Sequence, residues 1–265
     1  MSETRGNGLS GAASANNAVW GRGDFLSEYA TRDLRPAEIV ILVRYREGLA
    51  GTVLELGSGA GRLTGYLGAL AEKAYGIDLS PDMVDYANRT FPETESRVGD
   101  FQDLSPWADG TFSAVFAPCN VLDVLTDAER RAMLREIRRV LAPGGLLAMS
   151  SHNRGYMPKL KRPTHVRRTD PLRFAWDLAR VPRRVRNSRR LVGLEEQHPD
   201  FAIVNDSAHE YSLLHYYISR DDQERQFADE GFEMVEALDL DGRRIEPGQA
   251  ADDYVELHYV ARRAA

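Results

Sequence analysis

The chain has 265 residues, 43% of them hydrophobic, which is enough to fill the core of one large domain or of a domain with an inserted cap. Its net charge of −6 is unevenly spread, and its one cysteine permits neither an intramolecular disulfide nor a cysteine-ligated iron–sulfur cluster. Because no apolar run approaches the roughly 20 residues of a membrane span and the histidines show no metal-ligand spacing, we expect neither a membrane segment nor a structural metal.

The N-terminal segment 1–18 is rich in Ser, Gly, Ala and Asn and has no apolar signal-peptide core. We therefore expect a disordered tail and a cytoplasmic protein. Residues 20–48 are predicted to be mostly helical, because apolar side chains recur at helical spacing in 24–30 and 39–45.

The stretch 53–63 is the most informative part of the sequence, because an apolar strand runs into Gly57, Gly59 and Gly61 and a helix follows. Glycine lacks a Cβ, so the backbone can turn tightly and approach a ligand closely. A glycine turn between strand and helix is typical of nucleotide-cofactor sites. The G-x-G-x-G spacing differs from the G-x-G-x-x-G of dinucleotide folds, and the chain has no Gly-Lys pair for a P-loop.

Two further strands end in acidic residues. Residues 73–79 lead to Asp78, about 20 residues past the glycines, where a carboxylate can accept hydrogen bonds from a ribose diol. Residues 98–101 end in Asp100 and Phe101, an acceptor and an aromatic face that suit an adenine amine and ring. Between these strands, Ser80 and Pro81 predict the start of a helix.

Predicted strands at 52–57, 73–78, 96–101, 112–117 and 146–152 alternate with predicted helices at about 60–70, 81–90 and 127–140. This alternation predicts an α/β fold, a doubly wound and mostly parallel sheet with helices on both faces. The carboxyl ends of parallel strands share one edge, so the residues expected there are Gly57, Asp78, Asp100, Cys119 and His152.

Taken in order, these segments resemble the class I S-adenosylmethionine-dependent methyltransferases, and among them the bacterial natural-product enzymes that act on small molecules. The matching runs are 55–61, 76–80, 99–101, 112–116 and 138–147. The resemblance implies S-adenosylmethionine as cofactor and a seven-stranded Rossmann-like sheet whose last strand is antiparallel. It also implies N-terminal lid helices and four segments: a tail 1–18, a cofactor domain 19–152, a substrate cap 153–218 and a closing part 219–265.

The resemblance assigns a role to each matching residue. The glycine turn would lie against the methionine part of the cofactor, and Glu55 would help to hold that turn. Cys119 and Asn120 would lie near the methionine amino group and the transferable methyl. The full set of implied cofactor residues is Glu55, Gly57, Ser58, Gly59, Gly61, Asp78, Leu79, Met83, Asp100, Phe101, Cys119 and Asn120.

The nucleoside part of the cofactor would contact the second and third strands. Asp78 would bind the ribose hydroxyls, with Leu79 and Met83 against the adenine. Asp100 and Phe101 would recognise the adenine amine and ring.

Residues 153–218 interrupt the alternation, and we interpret them as an inserted substrate cap. Its first half is a predicted Arg-rich helix near 171–190, and its second half is two predicted strands, 201–206 and 211–218. The segment 159–190 holds twelve Lys and Arg against two Asp, a net charge of +10. The pattern then resumes with a helix over 220–230, capped by Ser219 and ended by Gly231, and with an antiparallel pair at 233–239 and 254–262.

Methyl transfer from a sulfonium is an in-line displacement, so the enzyme mainly aligns the reactants and excludes water. A phenol or carbon nucleophile also benefits from a general base, most often a histidine. Candidate catalytic residues are His152 at the end of the fifth strand, His209 and His215 in the cap, and Tyr29 as a lid residue. Aromatic residues that would line an acceptor pocket, or fill the cap's own core, are Tyr156, Trp176, Tyr211, Tyr216 and Tyr217.

Three functions stay open on this sequence. The first is a monomeric or homodimeric methyltransferase of natural-product biosynthesis acting at O, N or C of a small molecule, with an aromatic or indole-like acceptor suiting the Tyr-rich cap. The second is an RNA or DNA methyltransferase whose basic segment tracks phosphates. Two observations count against the second function. The chain has 3 Lys beside 31 Arg, which indicates a coding bias towards Arg, so a cluster of Arg is weak evidence for nucleic-acid binding. Residues 117–120 also depart from the Asn/Asp-Pro-Pro-aromatic motif of base-amine and protein-glutamine methyltransferases. The third is a binding protein without turnover.

Overall fold

A computed structural model of the chain describes residues 33–166 and 170–265. The expected tail 1–18, the expected helix over 24–30 and the lid candidate Tyr29 lie outside these residues. The α-helices are α1 (Pro36–Arg44), α2 (Arg62–Leu70), α3 (Pro81–Thr90), α4 (Asp127–Val140), α5 (Pro171–Leu191) and α6 (Arg220–Asp229). The strands are β1 (Thr52–Leu56), β2 (Lys73–Asp78), β3 (Glu95–Val98), β4 (Phe112–Ala117), β5 (Leu141–Asn153), β6 (Glu196–Gln197), β7 (Phe201–Val204), β8 (His215–Ile218), β9 (Phe232–Leu238) and β10 (Glu256–Arg263).

Seven of these strands form the core of the sheet in the order β3-β2-β1-β4-β5-β10-β9. The first five run parallel, and β10 is antiparallel to both β5 and β9. This arrangement confirms the predicted doubly wound α/β fold with an antiparallel last strand. Apolar clusters cover both faces of the sheet, so the ends of the strands, rather than its faces, are left for a site.

The cap extends the same sheet. Tyr217 and Ile218 of β8 pair with His152 and Asn153 at the end of β5, where β4 has already ended. β7 and β6 then add antiparallel to β8, so the sheet has ten strands within the described part of the chain. The predicted count of seven was too small, because the cap strands hydrogen-bond to the core strand rather than forming a separate layer.

Two strand boundaries differ from the prediction for local reasons. β3 ends at Val98, because the Asp100 carboxylate accepts a hydrogen bond from the Gln102 amide at 2.9 Å and turns the chain. β5 begins at Leu141 rather than at residue 146, because Leu141 pairs with Phe112 before an irregularity in register.

Side-chain caps fix the starts of three helices, as the sequence predicts for two of them. Ser80 Oγ accepts from the Met83 amide at 3.4 Å, and Ser219 Oγ accepts from the Asp222 amide at 3.1 Å. Thr126 and Glu129 form a capping box at the start of α4. These caps place the C-terminal edge of the sheet directly against the starts of the helices.

Candidate active site

The glycine turn after β1 has the backbone that its sequence demands. Gly57, Gly59 and Gly61 have φ values of +63°, +51° and +79°, a region that other residues rarely adopt. A Cβ on Gly57 would come within 2.5 Å of Val121 Cγ2. Among the residues that the structure describes, none would come within 4 Å of a Cβ on Gly59, so the backbone there is open to a ligand.

Asp78 at the end of β2 faces this turn. Its Oδ2 accepts a hydrogen bond from the Gly59 amide at 2.8 Å, and its Oδ1 accepts from the Ser80 amide at 2.9 Å. Burial raises the pKa of Asp78 above its ordinary value, and the two amides oppose that shift. The carboxylate is thus fixed in orientation, with lone pairs left for two further donors such as ribose hydroxyls.

Glu55 lies beneath the turn rather than in it. Its side chain is 3% exposed and accepts a hydrogen bond from the Thr64 hydroxyl on α2. Burial raises the pKa of Glu55 to about 8, so the group is largely protonated at neutral pH. Glu55 therefore ties β1 to α2, the two elements that the glycine turn connects.

Cys119 and Asn120 follow β4 in the left-handed region, with φ values of +54° and +58°. Two consecutive non-glycine residues in this region are strained, and such strain is concentrated at functional sites. Asn120 Nδ2 donates to Glu256 Oε2 at 2.9 Å, and its buried Oδ1 has no hydrogen-bond partner among the described residues. An unpaired buried acceptor suits an incoming donor such as an ammonium group.

Other residues of the expected cofactor set lie around these groups. Met83 is buried and Leu79 is exposed at the start of α3, while Asp100 lies in the turn after β3. Phe101 belongs to the apolar core, and Ser58 Oγ is a second buried polar atom with no partner in the described residues. The open backbone at Gly59, the oriented Asp78 carboxylate and the unpaired Asn120 oxygen together fit the polar groups of S-adenosylmethionine.

An ion pair that was not predicted joins α1 to the residue that follows the glycine turn. Arg62, the first residue of α2, donates to both carboxylate oxygens of buried Glu38 at 2.6 and 2.7 Å. The Arg62 guanidinium also lies 3.4 Å from Cys119 Sγ. Helix α1 is thereby fixed against the start of α2, directly after the glycine turn.

His152 lies at the end of β5, as predicted, and is oriented by a carboxylate that was not predicted. Asp123, in the short helix Val121–Val124, accepts at Oδ2 from both the backbone amide and the Nδ1 atom of His152, each at 2.7 Å. Because an ionised Asp123 cannot donate, Nδ1 carries the hydrogen and Nε2 of the neutral ring keeps a lone pair. That Nε2 lies 3.4 Å from the Asn120 side-chain amide.

Arg130 of α4 keeps Asp123 ionised. Its Nη1 donates to Asp123 Oδ1 at 2.6 Å, and both side chains are fully buried. Although burial opposes the charge, Arg130 and His152 lower the pKa of Asp123. Arg130 also donates to Ser151, Gln223 and Gln226. No sequence motif predicts that Asp123 orients His152 or that Arg130 pairs with Asp123.

The cap brings a second histidine against the first. The ring of His215 stacks on His152 with centroids 4.8 Å apart and planes at 23°, and the ring of Tyr217 lies 4.9 Å from His152. His215 Nδ1 lies 2.8 Å from Asp206 Oδ2, which also accepts from the Tyr217 hydroxyl at 2.7 Å. We call Asp123, His152, Asp206, His215 and Tyr217 the histidine cluster.

His209, the third histidine predicted as a candidate, is not part of this cluster. It lies in the short helix Ala208–Glu210 at φ +43° and ψ +41°, and its carbonyl accepts from Ser212 Oγ. Glu210 and Tyr211 after it also have positive φ values. The structure therefore connects His209 with the shape of the cap turn and not with His152.

His152, Asp206 and His215 offer ligand-type atoms within 4.8 Å of one another. Each of these side chains is already engaged, however. Both histidine Nδ1 atoms are bound to carboxylates, and Asp206 Oδ1 accepts from the Ala208 amide. A metal ion would have to displace these hydrogen bonds, so the arrangement favours proton chemistry.

The expected aromatic residues of the cap divide between two environments. Tyr216 is buried and packs on Phe201 and on the guanidinium of Arg130, while Tyr211 is buried and donates to the Lys161 carbonyl. Trp176 is 56% exposed and covered on one face by Arg180. Of these residues, Tyr217 is the one that the structure places against His152.

The basic segment is partly neutralised where it is described. Arg180 and Arg183 both pair with Glu210, at 2.7 and 2.8 Å, and Arg184 pairs with buried Asp177 at 2.9 Å. The pairs with Glu210 hold α5 to the turn at 208–210, while the Arg184–Asp177 pair lies within α5. Among the described helices, none is both long and apolar enough to cross a membrane.

Comparison with known proteins gives one family match. Residues 53–145 match the family described as Methyltransferase domain. The ubiquinone biosynthesis O-methyltransferase of Xanthomonas oryzae pv. oryzae is 33% identical over 117 residues, which is 42% of this chain and 48% of that protein. The chain spans about half, or less, of the length of the curated relatives that it matches.

Two solved structures extend the likeness to nearly the whole chain. The Burkholderia thailandensis 1,6-didemethyltoxoflavin-N1-methyltransferase, with 1,6-didemethyltoxoflavin and S-adenosylhomocysteine bound, has a TM-score of 0.60 at 14% identity and covers 96% of this chain and 88% of that chain. The CcbJ methyltransferase from Streptomyces caelestis has a TM-score of 0.58 at 21% identity, covering 93% and 97%. At such identities the likeness shows the fold.

Proposed function

We propose that this chain, whose residues 53–145 match a methyltransferase domain, is a class I S-adenosylmethionine-dependent methyltransferase. It would methylate a small molecule at a nucleophile that must give up a proton, with His152 as general base. The names of two similar proteins support a small acceptor, since one is an O-methyltransferase of ubiquinone biosynthesis and the other an N1-methyltransferase of 1,6-didemethyltoxoflavin. The acceptor that His152 suits best is a hydroxyl, such as that of a phenol.

The residues at the glycine turn would hold the cofactor. The backbone at Gly59 would face the methionine part, Asp78 would accept from the ribose hydroxyls, and Asn120 Oδ1 would accept from the amino group. When bound, S-adenosylmethionine supplies the methyl group and leaves as S-adenosylhomocysteine. The chain's own part is to align the acceptor, exclude water and take the acceptor's proton.

The proton passes to Nε2 of His152. Asp123 fixes the tautomer, because its ionised oxygens accept from Nδ1–H and leave the lone pair on Nε2. That lone pair faces Asn120 Nδ2 at 3.4 Å, a long contact that an acceptor hydroxyl would replace. It also stabilises the imidazolium that forms when His152 takes the proton, through the same 2.7 Å contact. This Asp123–His152 pair at the carboxyl edge of the sheet is the observation that carries the proposal.

The test measures transfer of the tritiated methyl group from [methyl-³H]S-adenosylmethionine to three acceptors, a phenol, an aniline and an indole, that carry the same ring substituents. The His152→Gln variant should lower kcat for the phenol about 10²- to 10⁴-fold, the usual contribution of a general base. Calorimetry with S-adenosylhomocysteine should give the same affinity in the variant as in the native chain.

His198→Gln is the matched control, because His198 is an exposed cap histidine paired with Glu196 at 3.0 Å. It should leave transfer unchanged. Full turnover of the phenol by His152→Gln would overturn the assignment of the base, and transfer confined to the aniline would overturn the acceptor class.

A further inference from the structure

The proposed base has a neighbour that the reaction as described does not use. We infer that His215 and Asp206 form a positioning pair that clamps the ring of His152 and keeps that ring uncharged until the acceptor's proton arrives. The inference rests on the proposed function, since it concerns how His152 is prepared for its role.

The geometry supports a fixed pair rather than a chance contact. His215 is 6% exposed and stacks on His152, whose other side-chain neighbours in the sheet are Tyr217 on β8 and Glu256 on β10. Asp206 holds His215 through Nδ1 and is itself held by the Tyr217 hydroxyl and the Ala208 amide. The ring of His152 is therefore confined on the cap side by groups that have defined partners of their own.

The charges around His152 can be assigned one carboxylate at a time. Asp123 is paired with Arg130, and Glu256 is paired with Arg35. Asp206 has His215 as its ion-pair partner. The three carboxylates are neutralised by two arginines and one protonated imidazole. That imidazole is His215, because its carboxylate, Asp206, is the one without an arginine partner among these pairs.

The titration of the cap pair agrees with this assignment. Burial opposes a charge on His215, but Asp206 outweighs it and raises the pKa of His215 above its ordinary value. Burial likewise opposes a charge on Asp206, yet the His215 charge and hydrogen bond lower the pKa of Asp206. Burial and Asp206 raise the pKa of Tyr217, with a further contribution from Tyr156, so that this hydroxyl stays neutral.

An imidazolium stacked 4.8 Å away disfavours a second positive charge on His152. The charge of the stacked pair therefore stays on His215, and the Nε2 lone pair of His152 is left for the acceptor's proton. In the opposite direction, loss of the His215 charge leaves Asp206 unbalanced close to His152 and favours protonation of the base.

The pH–rate profile of phenol methylation tests this directly. His215→Phe keeps an aromatic ring but removes the charge, so the acidic limb should move to higher pH by roughly one unit or more. The double variant His215→Phe with Asp206→Asn removes both charges and should return the limb towards that of the native chain. His198→Phe, in the exposed cap pair with Glu196, should leave the profile unchanged.

A purely structural role would predict a different result. His215→Phe would then lose rate equally at all pH values, and the double variant would be no better than the single one. Either that outcome or a shift of the acidic limb to lower pH would overturn the inference.

A second readout needs neither acceptor nor cofactor, nor a variant that folds. In the native chain with ¹⁵N-labelled histidine, NMR at neutral pH should show His215 protonated on both nitrogens and His152 with an unprotonated Nε2. The reverse assignment would refute the inference even if His152→Gln abolishes transfer. The expected assignment together with full turnover by His152→Gln would instead show that the proposed function has failed.

Discussion

The glycine turn after β1 and the histidine cluster after β5 lie at the same edge of the sheet but are held by different kinds of contact. The shape of the turn is set by the positive φ values of its glycines, and Asp78 is held by the backbone amides of Gly59 and Ser80. In the histidine cluster, buried charged side chains from β5, α4, the cap and the segment after β4 hold one another. The proposed cofactor end is therefore held mainly by backbone amides, while the proposed acceptor end depends on packing between distant elements.

The largest effect should follow from breaking the acceptor end. Arg130→Met leaves Asp123 fully buried without its cation and removes donors to Gln223 and Gln226. We expect the free energy of unfolding in urea to fall by about 3–5 kcal/mol. Arg135→Met on the same helix removes a half-exposed arginine paired with Glu230 and should cost less than about 1 kcal/mol. Equal losses would mean that the buried pair is no more important than a surface one.

A smaller and more local effect is expected at the cofactor end. Asp78→Ala removes the carboxylate that would bind the ribose and should weaken the binding of S-adenosylhomocysteine about 10- to 100-fold by calorimetry. Asp85→Ala, an exposed carboxylate on α3, is the control and should bind as the native chain does. Unchanged affinity in Asp78→Ala would remove Asp78 from the cofactor site.

The smallest effect should appear as a dependence on pH. Burial raises the pKa of Glu55 from 4.5 to about 8, so the folded chain keeps a proton that the unfolded chain releases. The stability that this proton contributes is complete below about pH 4.5 and is lost as pH rises through 8. Glu55→Gln stays neutral, so between pH 6 and 8 it should lose roughly 2 kcal/mol less stability in urea than the native chain. Parallel curves for the two proteins would show that Glu55 is ionised in the folded state.

The features that the sequence could predict are those that depend on residues close together in the chain. The alternation of strands and helices, the glycine turn and the position of His152 all follow from short-range patterns, and the sheet order confirms the fold. Helix caps at Ser80 and Ser219 were equally readable, because a cap involves residues only three positions apart.

The partners of His152 were not readable in this way. Asp123 is 29 positions away from His152, and Asp206 is a single acid in a segment read as a strand. An isolated Asp in a sequence is usually a surface residue, and only folding shows that these two are buried against histidines. The pair Glu38–Arg62 was missed for the same reason, since its members come from different helices.

The cap is joined to the sheet by two residue pairs at the end of β5, His152 with Tyr217 and Asn153 with Ile218. A junction this short can accept a cap of different length or sequence without disturbing the strands that carry the glycine turn. On the proposed function, a changed cap would change the acceptor and leave the methyl-donor site as it is, provided that the new cap again ends beside His152. Strand β5 is therefore the element at which a variable cap would meet the constant core of the sheet.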